Sequence, residues 1–294
     1  MKNTKPFWKV IYILLVAGIV IMLIGAMLGG IKGTRVNIND YNIGIIDRLV
    51  DYVVIDGNEI NLKFDKNHEI LDGDIEKYFG EEDFDSLDLV VGGAKVEITR
   101  SDDDKMTIVS ENSDGIQCYI IDGKLYIKAL FDENTLDSIN DNVLTISLPR
   151  DKEYEEFNVT LGAGSMEIDE LLADNVNFKM GAGSCEILES AIDNLNLDLG
   201  MGDFSYEGRI NNEADVSCAM GNVDINIQGN KDDYSYNLEC ALGTIAYEDM
   251  SISGIGSERS GGDGSKMIEI ECVMGEVSVE FNGLYDDDNE EIDI

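Results

Sequence analysis

Apolar and polar residues alternate in a unit that returns every 19 residues from residue 157 onward. Each copy reads apolar–x–apolar–x–apolar, then a corner of small residues, then apolar–x–apolar. This period of two predicts β-strands with one buried face, because a helix would need apolar spacings of three and four. The four regular copies span residues 157–168, 176–187, 195–206 and 214–225, and two looser copies span residues 236–247 and 268–279.

Every copy has a glycine at the same corner position. A position that carries no side chain in any copy predicts either a positive φ or a backbone approach too close for a Cβ. Two residues earlier, glycine gives way to Ala219 and then Val273, so that position is predicted only to prefer a small residue. The corner glycines are Gly164, Gly183, Gly202, Gly221, Gly243 and Gly275.

Two architectures fit a unit of two strands and one corner. In a β-solenoid each copy is one rung that pairs in parallel with the next copy, and in an antiparallel meander each copy is a hairpin. The solenoid is favoured because equivalent residues would then stack in columns about 4.8 Å apart and keep their character from copy to copy. We therefore predict an all-β protein, a parallel β-solenoid whose rungs of about 19 residues stack in chain order. Residues 251–266, where the repeat spacing widens, are predicted to form a polar surface loop.

Four of the five cysteines occupy inner positions of the repeat. Cys218, Cys240 and Cys272 share one column, and Cys185 lies in another. They are predicted to be buried free thiols, since parallel side chains in register point the same way and bridge badly. Because the chain has one histidine and no closely spaced cysteine pair, we predict no metal site and no cofactor.

Two outward columns are candidates for chemistry. A carboxylate column could suggest a polysaccharide-cleaving enzyme, but neutral residues interrupt it, and we predict no catalytic residues. An amide column favours a structural hydrogen-bonded ladder over a sugar-binding strip. The carboxylate column is Glu167, Glu186, Ser205, Asp224, Ala246 and Ser278. The amide column is Asn158, Asn177, Asn196, Asp215, Asn237 and Glu269.

The region before the repeats contains further strand signals. Residues 88–98 align with residues 158–168 and predict an early rung. Residues 116–121 and 124–129 flank Asp122-Gly123 and predict a hairpin, and residues 142–149 predict another strand. His68 lies in a polar stretch and is predicted to be exposed, with no role.

Residues 10–31 carry no charge and are long enough to span a hydrocarbon core of about 30 Å as a helix. We predict one transmembrane α-helix that is not cleaved. Lys2, Lys5 and Lys9 place the N-terminus in the cytoplasm, so the solenoid is predicted to lie outside. The predicted order is a cytoplasmic tail (1–9), the transmembrane helix (10–31), a juxtamembrane spacer (32–80), the solenoid (81–283) and an acidic tail (284–294).

The chain has 60 acidic and 21 basic residues and a formal net charge of −39. Such a charge repels nucleic acids and anionic lipid surfaces, and it attracts cations, basic peptides and basic protein surfaces. The acidic outward positions could equally serve only to keep a strand-rich protein soluble and its edges unpaired.

The apolar N-terminal segment, the FDSLDL opening at residue 84, the LTISLP strand at residue 144 and the GAGSMEI and GAGSCEI rungs together resemble the bacterial toastrack domain, a domain of unknown function named after adhesins. The resemblance covers about residues 81–283. It implies a β-solenoid in an envelope protein with envelope or membrane partners, and it carries over no catalytic residues.

These observations favour a non-enzymatic interaction module in cell-envelope sensing or signalling. An adhesin-like surface binder is the alternative, and a carbohydrate-active enzyme is a remote third.

Overall fold

The structure, a computed structural model, describes residues 53–56, 59–62, 64–131 and 142–283. These residues form fifteen β-strands and two single-turn 3₁₀ helices, Glu81–Asp83 and Lys231–Asp233, so the prediction of an all-β protein is confirmed for them. The strands are β1 (Val53–Asp56), β2 (Glu59–Leu62), β3 (Leu71–Gly80), β4 (Ser86–Arg100), β5 (Lys105–Ile121), β6 (Lys124–Leu130), β7 (Val143–Leu148), β8 (Tyr154–Ile168), β9 (Leu172–Gln228), β10 (Tyr234–Cys240), β11 (Thr244–Tyr247), β12 (Met250–Ser253), β13 (Ser257–Gly261), β14 (Lys266–Cys272) and β15 (Glu276–Asn282).

The repeats stack as parallel rungs in a solenoid-like sheet. Each rung has a first arm before the corner glycine and a second arm after it. β8 pairs in parallel with the start of β9, and Gly164 lies opposite Gly183 in the same register as the flanking residues. The continuous strand β9 then passes through three rungs, which accounts for its length of 57 residues. The early rung is also confirmed, because β4 pairs in parallel with β8 and places Asp88 opposite Asn158.

The rungs do not stack in chain order at the C-terminal end, contrary to the prediction. β14 and β15 together form a rung that pairs with the last rung of β9. The rung of β10 and β11 then pairs with the far side of β14 and β15. The order of corner glycines along the stack is therefore Gly221, Gly275, Gly243. The chain can reverse this order because the connections here are longer than those between the regular copies.

Antiparallel strands cover both ends of the stack. At one end, β5 pairs antiparallel with β6 and β7, and β3 pairs with the outer edge of β5. At the other end, β13 pairs with β10 and β12 pairs with β11. Residues 251–266 thus contain two edge strands rather than an irregular loop. Residues 71–80, part of the predicted spacer (32–80), form β3 and belong to the main sheet. The edge strands β12 and β13 are short, which reduces pairing with other chains.

The first end also contains the predicted hairpin and strand. β5 and β6 pair antiparallel through a turn in which Asp122 has φ 50° and Gly123 has φ 77°. Two consecutive positive φ values are typical of the type I′ turn that joins tight hairpins. β7 covers residues 143–148 and pairs in parallel with the second arm of β4. Both predictions are confirmed.

The corner glycines lie against the backbone of the neighbouring rung. A Cβ on Gly164, Gly183 or Gly202 would lie 2.1 Å or less from a carbonyl oxygen, and these residues have φ between 123° and 132°. At the other three corners φ is not positive, but a Cβ would still lie 2.1–2.3 Å from a carbonyl oxygen.

The position two residues earlier is more restrictive than predicted. A Cβ on Gly162, Gly181 or Gly200 would lie 2.5–2.7 Å from a carbonyl oxygen of the preceding rung. Larger residues occupy this position only in the C-terminal rungs, as Ala219, Ala241 and Val273, so contact between rungs requires glycine here only in the earlier rungs.

The core lies between the arms of the rungs. Phe178 on a first arm and Phe204 on a second arm meet edge to face, with ring centroids 5.6 Å apart. Both side chains are almost fully buried. The alternating apolar residues therefore face a single interior, as the period of two predicts.

No helix among the described residues is long and apolar enough to cross a membrane. The predicted transmembrane helix at residues 10–31 lies outside the described residues, as do the tails at residues 1–9 and 284–294.

A candidate ligand-binding trough

A trough of about 330 Å³ runs across the outer surface of the second arms. Two outward columns form its sides, and the backbone and buried side chains of four rungs form its floor. The corner-side column consists of Lys95, Ser165, Ser184 and Asp203. The opposite column consists of Glu167, Glu186, Ser205 and Asp224, which are the first four members of the predicted carboxylate column.

The structure extends the carboxylate column by one residue that the sequence analysis missed. Glu97 lies opposite Glu167, and Glu167 lies opposite Glu186, in parallel register. Three glutamates thus occupy consecutive rungs about 4.8 Å apart. Like charges directly opposite each other on a sheet destabilise it, so this column favours a counter-charge.

Lys95 is the only basic residue among the described residues that line the trough. Its Nζ lies 2.5 Å from Oε1 of Glu97, and both side chains are substantially exposed. The hydrogen bond from Lys95 to Glu97 raises the pKa of the lysine, and the charges of Glu97 and Glu167 act in the same direction. One ammonium group stands beside several carboxylates, so the trough remains acidic.

The corner-side column ends in an amide–carboxylate contact. Nδ2 of Asn222 donates a hydrogen bond of 2.9 Å to Oδ1 of Asp203 in the adjacent rung. This contact orients one carboxylate of the trough. Serine hydroxyls and carboxylates together can accept hydrogen bonds from ammonium, guanidinium or hydroxyl groups.

The amide column lies on the first arms, away from the trough. Nδ2 of Asn177 donates to Oδ1 of Asn158 at 2.7 Å, which confirms the predicted ladder for this pair. Because of the changed rung order, Asn237 follows Glu269 and donates to its Oε1 at 3.1 Å. A second ladder, which the sequence analysis did not identify, joins Asn212 to Asn194 and Asn194 to Asn175. These contacts support the structural interpretation of the column.

Asp88 continues the amide column into the early rung, where it lies opposite Asn158. Burial raises the pKa of its carboxyl group, while the charges of Lys124, Lys128 and Lys179 oppose the shift. A raised pKa means that the folded protein binds this proton more tightly than the unfolded chain does. The stability that Asp88 contributes is therefore present at low pH and is lost as the pH rises through its folded-state pKa.

We expect Asp88→Asn to stabilise the protein at pH 7, because it removes a partly buried charge and can extend the ladder to Asn158. One added hydrogen bond contributes about 1 kcal/mol. The melting temperature should rise at pH 7, and the difference from the unchanged protein should shrink toward pH 4. Asp72→Asn, at an exposed position of β3, is the control. An equal gain for both variants, or none for Asp88→Asn, would contradict this assignment.

The four inner cysteines are buried, and Cys118 is partly buried. Cys185 lies opposite Met166 in register, and Cys218 lies opposite Cys272. Cys272 lies in turn opposite Cys240, so it is the middle member of the thiol column. The predicted order had placed Cys240 in the middle.

His68 has a contact that the sequence analysis did not predict. Its ring stacks on Tyr119 with centroids 3.9 Å apart, and Tyr119 stacks on Tyr126 at 5.1 Å. The loop that carries His68 is held by Gln117, whose buried side chain bonds the backbone of Asp65 and His68 at 2.7–2.8 Å. The only sequence signal for this contact was Gln117, a polar residue within an apolar strand. That signal does not identify the loop that covers Gln117.

Comparison with known proteins adds a family match. The model of the family described as Toastrack DUF4097 matches residues 84–288. No curated protein is significantly similar to the chain.

Several solved structures are distantly similar. A "putative adhesin" from Bacteroides fragilis is 15% identical with a TM-score of 0.40, and the match covers 72% of this chain and 97% of that one. A "putative cell adhesion protein" from Clostridium sporogenes is 11% identical with a TM-score of 0.38, covering 71% of this chain and 100% of that one. At such low similarity, these names carry no argument about the ligand of this chain.

Proposed function

Because the chain belongs to the Toastrack DUF4097 family, we propose that it is a non-enzymatic envelope protein whose trough binds basic partners in envelope sensing or signalling. The observation that carries the proposal is the in-register column of Glu97, Glu167 and Glu186, of which Glu167 and Glu186 line a trough that Lys95 neutralises only in part. A basic segment of a partner protein would supply the missing counter-charge.

The proposed location follows from the sequence. Residues 10–31 would anchor the chain in the membrane, with the solenoid-like domain outside and the N-terminus in the cytoplasm. A signal received by the outer domain would then pass through a membrane protein that this domain contacts.

The trough can be tested with octalysine as the probe. We expect the triple variant Glu97→Gln, Glu167→Gln and Glu186→Gln of the full-length protein to bind octalysine roughly ten-fold more weakly, since exposed ion pairs contribute about 0.2–1 kcal/mol each. Fluorescence anisotropy of labelled octalysine at low and physiological salt would measure the change, and circular dichroism would show that the variant is folded.

A matched control separates the trough from the total charge. Glu207, Glu213 and Glu258 are exposed and lie outside the trough, so their triple replacement by Gln changes the net charge equally. This control should lose less than about two-fold in affinity if the trough is a defined site. Equal losses in the two triple variants would show that octalysine responds only to overall charge.

A different experiment separates sensing from adhesion, the alternative function. In a deletion strain, a reporter of envelope stress should respond less to cell-wall antibiotics if the protein takes part in sensing. Unchanged reporter induction together with reduced surface attachment would instead favour an adhesin-like binder. Crosslinking of the anchored protein followed by pull-down would identify the membrane partner that sensing requires.

A further inference from the structure

Three thiols occupy consecutive rungs near the C-terminal end of the stack. Cys218 pairs in register with Cys272, and Cys272 pairs in register with Cys240. All three are at most 2% exposed. We call Cys218, Cys272 and Cys240 the thiol column. Neighbouring members are about 4.8 Å apart along the stack, whereas Cys218 and Cys240 are separated by two strand spacings.

The middle thiol is contacted from both sides. The thiols of Cys218 and Cys240 both interact with the sulfur of Cys272, and the Cys218 thiol donates a hydrogen bond of 3.5 Å to the carbonyl oxygen of Gly221. The backbone of Gly275 and Thr244 also lies beside this sulfur, and the Thr244 N–H donates to the carbonyl oxygen of Gly275 at 2.9 Å. Interaction with the Cys218 thiol is the largest of the effects that lower the pKa of Cys272, against the opposing effect of burial, and the same interaction raises the pKa of Cys218. Cys272 is therefore the member of the pair that ionises first, and thiolates are the reactive form of cysteine.

We propose that the thiol column is an oxidation site in which Cys272 forms a reversible disulfide with Cys218 or Cys240. A hydroperoxide is the oxidant. The Cys272 thiolate attacks the O–O bond, releases hydroxide and becomes a sulfenic acid. The thiol of a neighbouring cysteine then attacks the sulfenic sulfur as it loses its proton, and the hydroxide that leaves takes up this proton, giving the disulfide and water. The two electrons lost by the pair of thiols reduce one peroxide.

The parallel register makes this disulfide a labile one. The Cβ atoms of in-register neighbours are about 4.8 Å apart, wider than the mean of about 3.8 Å across a disulfide, so the bridge must draw two rungs together. Strained disulfides are readily reduced, so this bond would form reversibly and would not be a permanent structural disulfide. Burial restricts the reaction to an oxidant as small as hydrogen peroxide.

The experiment is oxidation of the full-length protein in detergent with hydrogen peroxide, followed by alkylation of the remaining thiols and mass spectrometry of the peptides. We expect two of the five thiols to be lost, and a linked peptide pair that always contains Cys272. A mild dithiol reductant should restore all five thiols. Five free thiols after oxidation, or links that involve Cys118 or Cys185, would overturn the proposal.

Single replacements test the middle position. Cys272→Ser should abolish every disulfide, because Cys218 and Cys240 are about 9.6 Å apart, beyond the roughly 7 Å limit for bridging. Cys218→Ser should leave the Cys272–Cys240 pair, and Cys240→Ser should leave the Cys272–Cys218 pair. Cys185→Ser, buried without a cysteine opposite it in β8, should behave as the unchanged protein. A disulfide between Cys218 and Cys240 in the Cys272→Ser variant would contradict both the proposal and the observed rung order.

Discussion

Replacement of Gly183 by alanine should lower the free energy of unfolding by about 4 kcal/mol or prevent folding, because it combines left-handed strain of about 1–2 kcal/mol with a clash at least as costly as overpacking. Gly183 has φ 123°, and a Cβ there would lie 1.9 Å from the carbonyl oxygen of Gly164. That oxygen belongs to the backbone of the neighbouring rung and cannot rotate away as a side chain would. Denaturant unfolding followed by circular dichroism measures the loss.

Gly93 provides the matched control for this corner. It lies opposite Ala163, and a Cβ at Gly93 would have no atom within 4 Å. Gly93→Ala therefore introduces the residue that the next rung already has, and it should change stability by less than about 0.5 kcal/mol. A Gly183→Ala protein as stable as Gly93→Ala would show that the rungs are not packed backbone to backbone at their corners.

The corner was predictable from the sequence because its constraint is local and repeated. Glycine recurs at Gly164 and its five equivalents, and the structure places each of them against a neighbouring carbonyl. The stricter requirement two residues earlier was obscured by Ala219 and Val273. These residues belong to the C-terminal rungs, whereas Gly162 and Gly181 face close carbonyls. A single consensus repeat therefore does not show that the same corner position is tighter in some rungs than in others.

The order of the rungs was predictable only where the connections are short. Within β9, only seven residues connect the end of one copy to the start of the next. Such a short connection requires successive copies to stack as neighbouring rungs. After Gln228 the connections lengthen enough for β12 and β13 to form, and the chain can return to fill the place next to β9. Hydrophobic alternation is the same for either order, so the sequence pattern does not distinguish them. The same argument applies to β6 and β7, which follow β5 in the chain yet pair directly with β4.

The candidate trough was predictable in part for the same reason. Glu167 and Glu186 belong to regular copies, and their column followed from the repeat. The alignment of residues 88–98 with the repeat includes Glu97 and Lys95, but β5, β6 and β7 separate this rung from β8 in the chain, so the structure was needed to show that the two rungs are neighbours. The contact of Gln117 with the loop at Asp65 had no periodic signal, because it joins a strand to a segment outside the repeat.

The second large effect concerns the interior between the arms. Phe178 is fully buried and meets Phe204 edge to face, so its ring fills the space between a first arm and a second arm of neighbouring rungs. In the same column of first-arm residues, Val159 lies opposite Phe178 in register. A smaller apolar residue is thus accepted in this column in the neighbouring rung. At Phe178, the aromatic ring itself fills the interior between the two arms.

Phe178→Ala should therefore destabilise the protein by about 3–5 kcal/mol, the usual cost of a cavity left by a buried aromatic ring. Phe178→Leu keeps most of the volume and should cost about 1–1.5 kcal/mol. Phe281→Ala is a comparison at a partly exposed ring near the C-terminal edge, and it should cost less than Phe178→Ala because less surface returns to water. Guanidinium unfolding curves of the three variants measure the order. A Phe178→Ala protein no less stable than Phe281→Ala would mean that the two arms of a rung do not enclose a common core.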